Sequence, residues 1–476
     1  MTPVDSYEEL LAAVEQGGSI ALTADIDLGL ETPALEVKSD LTLNLNGRTV
    51  TGRSGIFKLT EGVTLTVLGE GRLELQSYGY CIDATVGTAN ILGGVMEGDL
   101  TGNINVSGGQ IGVLYSLGDC TVSGGQISSL SMVEGSCTVS GGQIDFLSVA
   151  QDSECYVSGG QISSDLSVFG NCVISGGSIA SLSIFNGSCT VIGVQIDDET
   201  FYNNGGCTVT DGDTVIYTGE DGLKAAVVYF LEKGVTDITV DLPEDVSHSL
   251  FIPIRRALVD TEGVADGSIN LTISGARTIP DHNQYGENNR AVFGEMHTDK
   301  NGEFLSEEEY VLELKSISLP DVEIIGDSAF RSCKNLTSLS APKVVAVYDW
   351  AFSITALESL YLPEATKIAG AAFYGCESLT TIKLPKVTSL DYQALDTANL
   401  NSEHTIYLTA EEDILVHEDL FLGFVHYDIL STNVNLVLNS NKQSQVSGST
   451  WTTKDKDGNE VSFTFKSVSF TDGEAE

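Results

Sequence analysis

Positive charge is what this sequence has least of. Its 476 residues carry 23 Lys and Arg against 67 Asp and Glu, a net charge of −44. Between Arg72 and Lys224 there is no basic residue at all. Such a chain is repelled by nucleic acid and by anionic surfaces, so no nucleic-acid partner is expected, nor a polyanionic substrate on that stretch. Long apolar runs are also missing. Nothing approaches the roughly 18 apolar residues a spanning helix needs, so no membrane insertion is expected. Residues Met1 to Asp5 show neither the basic nor the apolar segment of a signal peptide. The reading adopted is an extracellular or cell-surface protein whose signal peptide and anchor are not present in this chain.

Catalytic groups are sparse. The six histidines are scattered singly, and no Gly-x-Ser-x-Gly, His-Glu-x-x-His or phosphate-cradling loop occurs. Closely spaced cysteine pairs of the zinc-binding kind are absent. A lyase that abstracts a proton with Arg or Lys finds no such residue between 73 and 223. Asp197-Asp198 and Asp211-Gly212-Asp213 read as solvated turn acids rather than a hydrolase pair. Two segments look like calcium loops. His297-Thr298-Asp299-Lys300-Asn301-Gly302, followed by Glu308, begins with an unsuitable ligand. In Lys454-Asp455-Lys456-Asp457-Gly458-Asn459 the last acid is missing, and its Asp-Gly reads better as a hairpin turn between Trp451 and Val461-x-Phe463-x-Phe465. The expectation is no catalytic residue, no metal and no cofactor.

What is abundant is glycine, 50 residues against 9 prolines, and it falls in repeats. Cys120-Thr121-Val122-Ser123-Gly124-Gly125-Gln126-Ile127 returns at Cys137, Cys155, Cys172 and Cys189, and in decayed form at Cys207, in steps of 17 or 18 residues. Apolar positions alternate within each copy, and a second alternation follows, as in Leu130-x-Met132 and Leu147-x-Val149. Period-two alternation means strands with one face buried, and Gly-Gly permits a tight corner. A copy this small cannot enclose a core alone; stacking at strand spacing buries one continuous core. Earlier copies keep the slots with Ala89, Ile91 and Met96, then Ile104, Val106 and Ile111. The cysteine slot is apolar and points inward. Adjacent copies bring the Cα atoms within disulfide range, so reduced and bridged ladders both stay open. The outward row is Thr121, Thr138, Tyr156, Val173, Thr190 and Thr208.

An open sheet edge needs a cover. Residues 6–16 fit, with Ser6 and Glu9 as a capping box and Leu10, Leu11 and Val14 as the apolar stripe. The same order of helix, glycine and strand returns over Asp221–Gly234 and Asp237–Leu242, which sets a boundary near 218.

A second array spans about 312–395. Pro320, Pro342, Pro363 and Pro385 are spaced 22, 21 and 22 residues apart. Each follows leucine-like positions such as Leu357, Leu360 and Leu362, and precedes Ala329-Phe330, Ala351-Phe352, Ala372-Phe373 or Ala394-Leu395. This pattern resembles the BspA-type leucine-rich repeats, most closely in Asp327-Ser328-Ala329-Phe330-Arg331-Ser332-Cys333 and Ala371-Ala372-Phe373-Tyr374-Gly375-Cys376. Gly370 departs from it, standing where a polar residue is usual. The resemblance implies one short strand per repeat, export, surface display and adhesion to host proteins or other cells.

The fold class expected is mainly β: a right-handed parallel β-helix (solenoid) followed by a leucine-rich repeat domain. The domains expected are 1–217, the β-helix with its capping helix; 218–311, a helix and flank; 312–410, the repeats; and 411–476, closing strands. If Leu339 and Ala341 point inward, the exposed strand rows carry the candidate binding residues Ser318, Ser340, Tyr361 and Lys383, beside Ser359 and Thr381. The function expected is non-catalytic binding of host protein or glycan by a monomer. The alternatives are a carbohydrate-active enzyme using carboxylates of the first array, or a structural spacer.

Overall fold

The computed structural model describes residues 1–29, 32–185, 187–194, 201–203, 206–219, 222–246, 248–281, 292–293, 313–397, 402–423 and 429–472. Asp197-Asp198 and the 297–308 loop lie outside them. The protein is mainly β with long parallel sheets, and it divides into two compact units. One is Met1–Gly206 with Gly212–Gly222, and the other is Cys207–Asp211 with Leu223–Glu476.

In the first unit, each segment pairs in parallel with the equivalent segment of the next copy. Leu41 pairs with Leu65 and Leu65 with Ala89, steps of 24 residues. Ala89 then pairs with Ile104, and Cys137, Cys155, Cys172 and Cys189 follow one another in register. The expected slots Ala89, Ile91, Met96, Ile104, Val106 and Ile111 are all buried. At the corners, Gly125, Gly142, Gly160 and Gly177 adopt φ between 82° and 88°, a conformation costly for any residue with a Cβ.

The parallel ladder through the cysteine slot ends at Cys189. Its next partner is the antiparallel strand Thr214–Thr218, with Cys189 opposite Tyr217. Thr190 is therefore buried rather than outward-facing. Cys207 does not continue the column: its strand, Cys207–Thr210, lies in the second unit and pairs antiparallel with Asp237–Asp241. The opening helix, Tyr7–Gln16, also differs in detail from the expectation. Ser6 makes no side-chain cap. Glu9 reaches back one residue further, accepting from the Asp5 N–H at 3.0 Å. The buried stripe is Leu10, Ala13 and Val14, with Leu11 exposed.

All nine cysteines are buried, and none forms a disulfide among the described residues. In the Cys120–Cys189 column, the neighbouring Cys120 thiol and burial push Cys137 upward in pKa, and the Cys172 thiol and burial do the same for Cys155; at Cys172 the Cys155 thiol pulls downward, but the Cys189 thiol and burial outweigh it. Burial holds Cys81 and Cys333 at about 12 and Cys376 at about 11, against an ordinary 9.0. The folded state thus binds protons the unfolded chain releases. Stability is fully present below pH 9 and declines from there as pH rises toward 11–12. The urea midpoint should fall between pH 8 and pH 10, and a thiol reagent at pH 8 should react with native protein far more slowly than with unfolded protein. Rapid labelling of native protein would contradict this.

In the second unit helices Leu223–Glu232 and Phe251–Asp260 stand before and after the strand Asp237–Asp241 in sequence, and that strand opens a parallel stack. The strand Asp237–Asp241 pairs with Ile269–Ser274, then Leu314–Ser318, then Ser338–Ser340. A second run takes Ser359–Tyr361, Thr381–Lys383, His404–Leu408, Val434–Asn439 and Ser467–Thr471. Over 411–476, Val434–Asn439 and Ser467–Thr471 continue the ladder in register. The hairpin Thr450–Lys454 with Glu460–Thr464 forms as read.

Opposite the strands, Phe293, Phe330, Phe352 and Phe373 stack with centroids 5.3, 5.0 and 5.5 Å apart and rings within 10° of parallel. Each repeat makes the same turn. The residue before Ala-Phe or Ala-Leu is left-handed at Ser328, Trp350, Ala371 and Gln393. Two residues after Phe the chain is left-handed again, at Ser332, Ile354 and Gly375, with φ of 62°, 60° and 72°. Ile354 is β-branched in a region that suits it badly. Ile354→Gly should therefore raise the denaturation midpoint, by about 1 kcal/mol net of glycine's extra unfolded-state entropy. A lowered midpoint would show that Ile354 packing outweighs the strain.

Candidate functional site

The repeat strands carry an outward residue on each side of one buried apolar residue. Ile317, Leu360 and Ile382 are buried; Leu339, expected inward, is only half-buried, while Ala341 is buried. The alternation turns Ser316 and Ser318, Ser338 and Ser340, Ser359 and Tyr361, and Thr381 and Lys383 to the other face. Register makes them columns. Ser318 pairs with Ser340, Tyr361 with Lys383, and Ser359 with Thr381. Between Ser338–Ser340 and Ser359–Tyr361 the described residues form no regular ladder; the Glu358 N–H bonds to the Thr337 carbonyl at 3.3 Å. The six candidate residues therefore fall into two groups, Ser318 with Ser340, and Ser359, Tyr361, Thr381 and Lys383.

The second group continues beyond the candidates. Lys383 pairs with Tyr407 and Thr381 with Thr405, and the Lys383 Nζ lies 5.5 Å from the centroid of the Tyr407 ring. Tyr361 is 47% exposed, while Lys383 and Tyr407 are half-buried. Tyr407 was missed because the step from Lys383 is 24 residues and Thr409 replaces the marker proline. Its signal was the alternation Ile406-x-Leu408. The columns also run upstream: Ser316 pairs with Asn270, which pairs with Asp237, and Ser318 pairs with Thr272, which pairs with Thr239. The Ser316 hydroxyl donates to Asn270 Oδ1 at 2.7 Å, and Asn270 Nδ2 to Asp237 Oδ1 at 3.0 Å.

Most nearby lysines are paired with acids. Lys343 meets Asp321 at 2.7 Å, Lys386 meets Glu364 at 2.6 Å, and Lys466 meets Glu403 at 2.9 Å. The Lys343 bond holds the Asp321 carboxyl below its ordinary value, and the Lys466 bond does the same for Glu403. Past the ends of the Lys383 and Tyr407 strands lies a cleft of about 300 Å³ whose lining includes Lys386, Glu411, Glu412 and Asp472.

The Asp455 loop is a turn in its own right. Asp455 Oδ1 accepts from the Asp457 and Asn459 N–H groups at 2.9 and 2.8 Å, and Oδ2 from Asn459 Nδ2 at 2.8 Å. Those bonds, the Asn459 side chain first, lower its pKa. Among the described residues no group of three His, Cys, Asp or Glu side chains is arranged to hold a metal ion, and no helix is long and apolar enough to cross a membrane. Asp211 and Asp213 are exposed. Gly370, the departure from the repeat pattern, donates its N–H to Asp349 Oδ1 at 2.6 Å. A Cβ there would come within 3.1 Å of the same oxygen, so the close approach favours glycine.

One short strand per turn, an apolar interior and a stacked phenylalanine column define a leucine-rich repeat array. Residues 309–410 match the family described as the BspA type leucine rich repeat region, in six copies, and this segment is a BspA-type array. Neither the curated proteins nor the solved structures contain a match to the chain.

Proposed function

We propose that this is a non-catalytic, exported or surface-displayed binding protein, an adhesin that recognises host protein or glycan through the strand face of its repeats. The observation carrying this reading is the pair of outward columns formed by Ser359 and Thr381, and by Tyr361 and Lys383, extended by Thr405 and Tyr407. Strand faces of stacked repeats offer long surfaces for recognition, and Tyr is a residue type that anchors interfaces. Ser318 and Ser340 belong to the same face. In this reading residues 1–217 wind as a right-handed parallel β-helix that presents the array, with 218–311 as its flank, 312–410 as its recognition repeats and 411–476 as its end. The protein acts as a monomer.

The test is a screen of the full chain against matrix proteins and a glycan array, run with a reducing-sugar assay on polysaccharides. Affinity without turnover is the expected result. Release of reducing ends from any polysaccharide would overturn the non-catalytic reading in favour of a carbohydrate-active enzyme. A chain that binds nothing would leave the spacer role.

A further inference from the structure

Five thiols stand in one column inside the first unit. Cys137 is in register with Cys155, Cys155 with Cys172, and Cys172 with Cys189. Cys120 lies one copy before Cys137, where the adjoining Ser136 N–H donates to Asp119 Oδ1 at 3.1 Å. None of the five is more than 2% exposed. Packing alone does not require sulfur there. The earlier copies fill the same slot with Ala89 and Ile104, which are in register with each other and buried. Neighbouring strands are about 4.8 Å apart, inside the Cα range of a disulfide, about 4.4–6.8 Å. From that spacing the Cβ atoms need to approach by only about 0.3 Å to enter the disulfide range. Thiols two rungs apart, at about 9.6 Å, are out of reach.

We propose that the column is a dithiol oxidation site in which neighbouring rungs form two disulfides, Cys120–Cys137 and Cys155–Cys172, while Cys189 stays a thiol. Parity fixes most of this. Five thiols in a line that bond only to neighbours leave the first, third or fifth free once two bonds exist. Cys137 and Cys172 are bonded in every such state. The partners follow from which thiols act most on one another. Cys120 acts on Cys137 more strongly than Cys155 does, and Cys172 is the strongest influence on Cys155. The oxidant is a small-molecule disulfide of the glutathione kind, present where exported proteins fold. One cysteine thiolate attacks it, expelling one small thiolate and leaving a mixed disulfide. The neighbouring thiol loses its proton and attacks the cysteine sulfur of that bond, expelling the second small thiolate. Two electrons pass from the pair to the oxidant, and the two cysteine protons end on the two small thiols. Burial closes this route in the folded state, so the exchange takes place as the copies stack during folding.

The full chain is refolded from urea with oxidised and reduced glutathione, or with reductant alone, and remaining thiols are alkylated after unfolding. Trypsin cannot separate the column, because no Lys or Arg lies between Arg72 and Lys224. Cleavage after Glu134, Glu154, Asp165 and Phe185 puts the five cysteines on different peptides, and mass spectrometry without reduction reads the links. Oxidative refolding should protect Cys120, Cys137, Cys155 and Cys172 and leave Cys189 alkylated. The oxidised chain should keep the circular dichroism of the reduced one and unfold at higher urea, since each bond closes a loop in the unfolded chain. In a Cys137→Ala, Cys172→Ala double variant the remaining column thiols are two rungs apart and should all be alkylated. Alanine suits the slot, as Ala89 shows. Cys120→Ala should shift the bonds to Cys137–Cys155 and Cys172–Cys189. Five alkylated column thiols after oxidative refolding overturn the proposal, as does a free Cys137 or Cys172 beside two bonds. So does a bond within the column of the double variant. An oxidised chain with altered circular dichroism, or with a urea midpoint no higher than the reduced chain's, overturns it too, because the bonds would then not fit the stack.

Discussion

Replacing Phe352 by alanine should cost the repeat unit about 3–5 kcal/mol, the usual scale for a buried phenylalanine. Its ring is fully buried between Phe330, 5.0 Å away, and Phe373, 5.5 Å away. The loss therefore combines transfer free energy, a cavity and two stacking contacts of about 0.5–1.5 kcal/mol each. A neighbour cannot close the gap easily. Each phenylalanine is fixed by a turn with a left-handed residue before the Ala-Phe pair and by backbone bonds such as Phe352 N–H to the Ala372 carbonyl at 2.9 Å. Against a typical domain stability of about 5–15 kcal/mol, this threatens the fold of the unit. Phe352→Leu keeps most of the volume and should cost about 1–2 kcal/mol. Tryptophan fluorescence against urea reads this unit, since residues 350 and 451 are the chain's two tryptophans. Equal, small effects of both substitutions would show that the column is loosely packed.

Gly142→Ala should be strongly destabilising for the first unit. Gly142 has φ +82°, and a Cβ there would lie 2.8 Å from the Gly124 carbonyl oxygen and 2.9 Å from its carbon. The obstruction is backbone of the preceding copy, itself hemmed in by the same glycine column. Left-handed strain of about 1–2 kcal/mol adds to overpacking of about 1–3 kcal/mol. Gly62→Ala is the control, because its φ is +74° but nothing lies within 4 Å of where the added methyl group would sit. It should show the strain alone. Circular dichroism against urea separates the two, and equal midpoints would remove the steric argument.

Much of this architecture could be read from residue spacing. The Cys-x-Val slots and the Gly-Gly corners mark buried columns and positive φ because each copy must repeat its neighbour's geometry to stack. The proline-spaced array was equally legible. Legibility failed where the period drifted. The first copies step by 24 residues rather than 17, so their self-similarity is blurred. Cys207 kept the local motif but joined Asp237–Asp241, since pairing partner is a tertiary choice that a short motif does not determine. The helix entry differed because the carboxyl of Glu9 bonds the Asp5 N–H, one residue beyond the capping-box geometry.

The candidate site was legible in part. Ser359, Tyr361, Thr381 and Lys383 come together because alternation and a 22-residue step fix both face and register. Ser318 and Ser340 pair with each other, but the ladder is interrupted before Ser359. Tyr407 and the upstream Thr239, Thr272, Asp237 and Asn270 were hidden because no Leu-Pro directly follows Tyr407, Thr239 or Thr272, although they occupy the same columns.

Hydroxyl-radical footprinting of the full chain, free and bound to the tightest ligand from the screen, tests the strand face most directly. Protection of Tyr361 and Tyr407, with the buried phenylalanine column unchanged, is the predicted result. Protection confined to the first unit or to the Thr450–Thr464 hairpin, with Tyr361 and Tyr407 oxidised as before, would contradict it.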